Sequence, residues 1–250
     1  MVDIHYHLIF GVDDGPKSIE ASLELAEASA AEGVTHIVAT PHASARYPYN
    51  FEVNRERLAI LSDQLAGRLT LGLGCDFHLS YENLQEAFAN PSPYVIGNTH
   101  YLLVEFSNYS VPQNTTDSFL KLGDRGITPV ITHPERNPIL RESLERVVDW
   151  AEQGCVIQMT GSALTGFWGD RTRHTAEWLL ERQCVHVLAT DTHDLEKRVP
   201  ILSTARDAAA EIVGEEIADA LVTDNPRAIV NDQPLPFFPR PSAVSGYRKR

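Results

Sequence analysis

Basic residues, cysteines and long apolar runs are all scarce in this 250-residue sequence. Lysine and arginine number 21 against 34 aspartates and glutamates, a formal net charge of −13 at pH 7. That balance works against any general grip on DNA, RNA or an anionic membrane, because phosphate backbones are held by clustered lysine and arginine. It still allows a small phosphorylated group held by one or two arginines. Cys75, Cys155 and Cys184 are the whole cysteine complement. Odd in number and without a Cys-x-x-Cys spacing, they argue against a disulfide framework or a structural zinc site. They predict reduced thiols and a cytoplasmic location. A thiol phosphatase needs an arginine six residues after its cysteine. Here those positions hold Tyr81, Gly161 and Thr190. A Gly-x-Ser-x-Gly elbow is missing too, as are the Gly-x-Gly-x-x-Gly and Walker sequences of nucleotide folds. No apolar run reaches the roughly 18 residues of a membrane span, and the first residues lack the basic and apolar regions of a secretory leader. Neither membrane insertion nor a leader is therefore expected.

What is present is an ordinary globular composition, 43% hydrophobic and 22% charged, arranged as strand and helix patterns in alternation. Strands are expected over 2–6, 36–39, 69–73, 101–106, 128–132, 156–159 and 186–189. Helices are expected over 17–31, 53–66, 115–125, 144–153, 172–182 and 200–213, with a short closing helix over 224–230. Seven strands with intervening helices and no break in composition predict a single α/β barrel. The expected domain spans 1–233. A Pro-rich, basic C-terminal tail, 234–250, follows it, ends in Tyr247-Arg248-Lys249-Arg250 and is expected to be loosely ordered.

The chemistry-bearing residues cluster just after these strands. His5 and His7 close the first, His42 follows the second in Thr40-Pro41-His42, and Asp76 follows the third. Glu105 ends the fourth, His133 follows the fifth in His133-Pro134-Glu135-Arg136, and Asp191 and His193 follow the seventh. In a parallel barrel all strand C-termini open on one rim, where the active site lies. Taken singly, each residue has a plain structural explanation: a helix cap, a turn aspartate such as Asp14, an incidental His-x-His. Their recurrence at successive strand ends does not. Imidazole nitrogens mixed with carboxylate oxygens suit Mn, Fe or Zn. The ligands exceed the needs of one ion, so two to three divalent metal ions are expected. Clustered metals favour hydrolysis by acidifying water and clamping phosphoryl oxygens. His36, His100, His174 and His186 are read as structural, and so, less firmly, is His78.

Taken together, Asp3-Ile4-His5-x-His7, Asp13-Asp14-Gly15-Pro16-Lys17-Ser18, Thr40-Pro41-His42, His133-x-Glu135-Arg136 and Asp191-x-His193 resemble the polymerase and histidinol phosphatase (PHP) superfamily. Within it the chain is similar to the bacterial manganese-dependent protein-tyrosine phosphatases of capsule and exopolysaccharide biosynthesis. Glu105-Phe106-Ser107, Gly126-Ile127-Thr128-Pro129-Val130 and Asn225-Pro226-Arg227 extend the likeness to about Gln233. The resemblance implies a distorted seven-stranded (β/α)7 barrel of PHP type. It implies one ion on His5, His7, Asp76 and Asp191, a second on Asp76, Glu105 and His133, and a third on Asp14, His42 and His193. Arg136 and Arg198 would bind the phosphate, and with Asp191 they form the implied catalytic set. Asp76 departs from the glutamate usual in the family. The implied substrate is a tyrosine-phosphorylated protein, a cognate bacterial tyrosine kinase, with no role for nucleic acid and with self-association left open. A small-metabolite phosphatase of the histidinol-phosphate type and a weakly catalytic metal-bound regulatory protein are the competing readings.

Overall fold

The computed structural model describes residues 1–241. Among them are nine strands: β1 (Val2–Tyr6), β2 (His36–Ala39), β3 (His42–Ala43), β4 (Thr70–Leu73), β5 (Asp76–His78), β6 (Tyr101–Glu105), β7 (Thr128–Thr132), β8 (Val156–Thr160) and β9 (Val187–Ala189). They form two sheets, ordered β1-β2-β4 and β3-β5-β6-β7-β8-β9, and every pairing is parallel. The helices between them are α1 (Ile19–Ala31), α2 (Phe51–Leu65), α3 (Tyr81–Ala89), α4 (Thr115–Gly123), α5 (Leu144–Glu152), α6 (Gly161–Leu164), α7 (Asp170–Glu181), α8 (Leu202–Val213), α9 (Glu215–Asp219) and α10 (Asn225–Val230). Side-chain caps start several of them: Ser18 Oγ accepts from Ala21 N, Asn50 Oδ1 from Val53 N and Ser80 Oγ from Asn83 N. No helix among the described residues is long and apolar enough to cross a membrane.

The α/β alternation is as expected, but the strand count is nine where seven were expected. Two runs are interrupted. Thr40-Pro41 separates β2 from β3, and proline has no N–H for a ladder. Gly74-Cys75 separates β4 from β5, at a point where any side chain on residue 74 would meet Val38, Thr40 and Ile96 at 3.1–3.3 Å. Backbone bonds bridge both gaps, Gly74 N donating to Ala39 O at 2.8 Å and Asp76 N to Pro41 O at 3.1 Å. Past β9, Asp191 N donates to His5 O at 2.9 Å and His7 N to Thr192 O at 3.0 Å, which ties the end of β1 to the second sheet.

Parallel strands are buried on both faces, and the two faces here have different tasks. Val2, Ile4, Val38, Leu103, Val130, Val156, Val187 and Ala189 form one apolar cluster. The intervening residues, among them Ile37, Leu102, Val104, Ile131, Ile157 and Leu188, join the larger core under the helices. Side chains alternate along a strand. The first set therefore continues upward through Glu105 on β6, Thr132 on β7, Gln158 on β8 and Asp191 beyond β9. On β1 the alternation is broken. The register against β2 slips by one residue between Asp3 and Tyr6, a β-bulge. Ile4 stays with the inner cluster, and His5 and His7, of the opposite parity, are turned to the same side.

The start of the tail is better held than expected. Asn225 Nδ2 donates to Phe237 O at 2.6 Å and Phe237 N donates to Asn225 Oδ1 at 3.0 Å, while Phe237 packs on the main core. Residues 242–250, the rest of the expected tail, lie outside the described residues.

Candidate metal centre

All nine expected ligands meet at one end of the sheets, His42 and Asp76 opening β3 and β5 just past β2 and β4 and the others at or beyond the C-terminal ends of β1, β6, β7 and β9. Four overlapping groups place ligand atoms within 4.8 Å of one another: His7, Asp14, His42 and His193; His5, His7 and Asp76; His5, His133 and Asp191; His42, Asp76 and Glu105. His5 Nε2 and His7 Nε2 each lie 3.3 Å from Asp191 Oδ1. Asp76 Oδ2 is 2.9 Å from His42 Nδ1 and 3.6 Å from His5 Nε2, which makes it the link between the two ends. Asp14 Oδ1 lies 3.3 Å from His42 Nε2 and 3.4 Å from His193 Nε2. The grouping differs in detail from the sets implied by resemblance: His7 also sits with the Asp14 group, and His42 with Asp76 and Glu105.

The donor set fits divalent cations. His5 Nε2, His7 Nε2, Asp76 Oδ1 and Asp191 Oδ1 are buried with no hydrogen-bond partner. Polar atoms left so cost free energy unless something charged compensates them. The imidazoles are oriented for it. Gln158 Oε1 takes the Nδ1 proton of His5 at 2.9 Å, and Asp13 Oδ2 takes that of His7 at 2.7 Å, so both Nε2 lone pairs face the carboxylates.

Electrostatics point the same way. Burial by itself would lower the His5 imidazole, yet Asp191 and Asp76 outweigh it and carry it up to about 9. Burial is likewise overcome at His42, which Asp14 and Asp76 push up to about 12. Burial, then the neighbouring Asp76 charge, raises Glu105 to about 8. The cluster thus draws in protons as substitutes for cationic charge. His133 and His193 go the other way: burial and Arg136 hold the first well below its ordinary value, and burial and His7 bring the second down to about 4.

Two arginines border the cluster. Arg136 Nη1 and Arg198 Nη2 both donate to Asp191 Oδ2, and Arg198 Nη1 donates to His193 Nε2 at 2.8 Å. Burial opposes the Asp191 charge, but Arg198, His5 and Arg136 keep this carboxyl well below the usual range. His133 (φ 33°) and Asp191 (φ 54°) sit in the left-handed region, as do Ala66, Gln183 and Asp232 away from the site.

Sequence reasoning did not single out Asp13 or Gln158 as supports. Asp13 lay in plain view beside Asp14; Gln158 had only its alternate position on β8 as a signal. His78 stays outside the ligand groups and lines a cavity of about 440 Å³ with Tyr49, Tyr94 and Asn83. His100 is paired with Asp232 on the surface. His186 is buried, where its Nδ1 accepts from Ile157 N at 2.9 Å. The cysteines are buried, and burial pushes Cys155 and Cys184 up to about 12 and Cys75 well above its ordinary value.

Fold and site together define a parallel α/β protein with a clustered histidine–carboxylate site and an arginine pair at its edge. Its relatives narrow this class. The sequence pattern of the family described as capsular polysaccharide synthesis, CpsB/CapC, matches residues 1–231, and the chain belongs to that family. The tyrosine-protein phosphatase CpsB of Streptococcus pneumoniae is 33% identical over 245 residues, covering 93% of this chain and 99% of the relative. The CpsB phosphatase of Streptococcus agalactiae is 30% identical over 241 residues, with 93% and 99% covered. The fold matches a crystal structure among those of YwqE from Bacillus subtilis and CpsB from Streptococcus pneumoniae, described as unique metal-dependent tyrosine phosphatases. That match has a TM-score of 0.90 at 28% identity and covers 98% of this chain and 100% of the other. A lactonase from Listeria monocytogenes shares the fold alone, with a TM-score of 0.61 and 11% identity over 92% of this chain and 94% of the other.

Proposed function

We propose that this protein is a metal-dependent protein-tyrosine phosphatase that acts on a tyrosine-phosphorylated protein of polysaccharide synthesis, a cognate kinase being the expected substrate. The observation that carries the reading is the joint placement of two guanidiniums and a nine-residue ligand cluster around the Asp191 carboxylate. His5, His7, Asp76 and Asp191 would hold one ion, Asp76, Glu105 and His133 a second, and Asp14, His42 and His193 a third. Bound divalent ions would supply acidified water and positive charge for phosphoryl oxygens.

The chain's own groups have separate tasks. Arg136 and Arg198 present N–H groups that can pass from Asp191 Oδ2 to the non-bridging oxygens of a phosphate. Those oxygens gain charge as the leaving group departs, so fixed cations there favour the transition state. Asp191 holds both guanidiniums with one oxygen and faces His5 and His7 with the other. Gln158 and Asp13 hold the imidazole protons away from the centre. A phenolate departs without protonation more readily than an alkoxide, which favours aryl phosphates. The buried thiols take no part.

Residues 1–233 are read as a single domain in the cytoplasm. Counting β2 with β3 and β4 with β5 as single interrupted strands reduces nine to seven, in keeping with a distorted seven-stranded barrel.

Metal analysis joined to a substrate panel tests the function. Two to three divalent ions per chain are expected, with activity abolished by chelation. Phosphotyrosine peptides should be hydrolysed far faster than phosphoserine peptides or histidinol phosphate. Equal rates on phosphoserine and phosphotyrosine, or a preference for histidinol phosphate, would overturn the assignment in favour of a small-metabolite phosphatase.

A further inference from the structure

Arg136 and Arg198 are held close together, both donating to a single carboxylate oxygen, Asp191 Oδ2. Trp168 lies against both. The Arg136 guanidinium carbon lies 4.0 Å from the centre of its ring system, and that of Arg198 lies 5.9 Å away. Both fall within the roughly 6 Å over which an aromatic face attracts a cation.

The indole is itself fixed. Its Nε1 donates to Ser162 Oγ at 2.9 Å, Phe167 meets it edge-on with ring centres 5.0 Å apart, and it leans on the main core. The turn that carries it, between α6 and α7, is built around two left-handed glycines, Gly166 (φ 83°) and Gly169 (φ 84°). Nothing lies within 4 Å of a Cβ placed on either one. Their role is therefore the backbone angle, which brings the chain in and out over three residues, and not a saving of space.

We propose that Trp168 is a positioning residue for the phosphate-binding arginines, its indole face holding Arg136 foremost, and Arg198 with it, in the orientation that receives phosphoryl oxygens. The proposal rests on the phosphatase reading of the site. It gives α6–α7 a part in the reaction although that segment carries no ligand and no group that touches the phosphate.

The test compares W168L, W168F, R136A and the W168L/R136A double variant in metal-loaded protein. Inorganic phosphate binding is measured by calorimetry, beside kcat and KM on an aryl phosphate and the metal content of each variant. W168L should weaken phosphate binding and lower kcat/KM by roughly 3- to 30-fold, the span of a partly desolvated cation–π contact, with metal content unchanged. W168F, which keeps an aromatic face, should recover most of the loss. In the R136A background the leucine substitution should add little, because its main partner has gone. Wild-type constants in W168L, an equal loss with and without Arg136, or a W168F no better than W168L would each overturn the proposal. If W168L does not fold, the same cycle built on W168M, which also lacks an aromatic face, decides the matter. A wild-type protein that neither binds phosphate nor hydrolyses aryl phosphate overturns the phosphatase reading as well, whereas an active wild type with an unaltered W168L overturns this proposal alone.

Discussion

Asp191 concentrates several demands in one side chain. Oδ2 receives Arg136 and Arg198, Oδ1 faces His5 and His7 at 3.3 Å, and the backbone is left-handed. Asparagine tolerates that backbone region, so D191N keeps the shape, removes the charge and exchanges one acceptor oxygen for a donor. Turnover should fall by about 10²-fold or more, the scale of losing one preorganised electrostatic group, with the fold retained by circular dichroism. Normal turnover in a metal-replete D191N would show the role to be misassigned. Gln158 acts one step further out, through the Nδ1 proton of His5. Q158L keeps the bulk and removes the acceptor. Metal affinity measured by chelator competition should fall by roughly 10- to 100-fold, as for other outer-shell partners of a ligand histidine. An unchanged affinity would mean that the His5 tautomer is set elsewhere.

Among the elements, β1 and α10 decide more than their lengths suggest. The one-residue slip in β1 brings Ile4 and His5 to the same side of the strand. Without it, the alternation that buries Val2 and Ile4 would turn His5 and His7 toward the helices. At the opposite end of the sheets, Asn225 opens α10 and binds three backbone groups: His186 O at 2.7 Å, Phe237 O at 2.6 Å and Phe237 N at 3.0 Å. N225A strands these groups in a buried place and should destabilise by about 2–4 kcal/mol. Urea melts should show the loss, and limited proteolysis should cut faster after residue 233. Identical melts and cleavage rates would mean that the tail is held by Phe237 packing alone.

For the whole molecule, the pH dependence of stability sums opposed contributions, since His5, His42 and Glu105 are raised, and one contribution that falls on mild acidification can be isolated. Burial holds His186 down at about 4, against an ordinary 6.5, and keeps its ring neutral where it accepts from Ile157 N. Between those values the unfolded chain binds a proton that the folded chain does not. The contribution is therefore complete above about pH 6.5 and is lost as the pH falls toward 4. From pH 7.5 to pH 5 it amounts to about 2 kcal/mol. H186N supplies an oxygen acceptor that does not titrate. The stability of the wild type relative to H186N should fall by that amount from pH 7.5 to pH 5, both measured at the same metal concentration. A difference that does not change with pH would overturn the role of His186.

Much of the design was legible in the sequence because it is local. The strand–helix alternation and the ligand types just after each strand depend on a few neighbouring residues, and parity along a strand places Glu105, Gln158 and Asp191 in register with valines and leucines. Absences were equally informative: with no arginine six residues beyond any cysteine, thiol chemistry had no cradle. The rest depends on strands far apart in the chain. Pro41 and Gly74 interrupt β2 and β4 only in the context of their neighbours. The bulge that turns His5 inward exists only against β2. Which imidazole nitrogen faces the centre is set by Asp13 and Gln158, 6 and 153 residues away along the chain. The meeting of Arg136, Arg198 and Trp168 around Asp191 follows no spacing rule. Local preference selected the residue types and their faces; the pairing of distant strands decided which of them would meet.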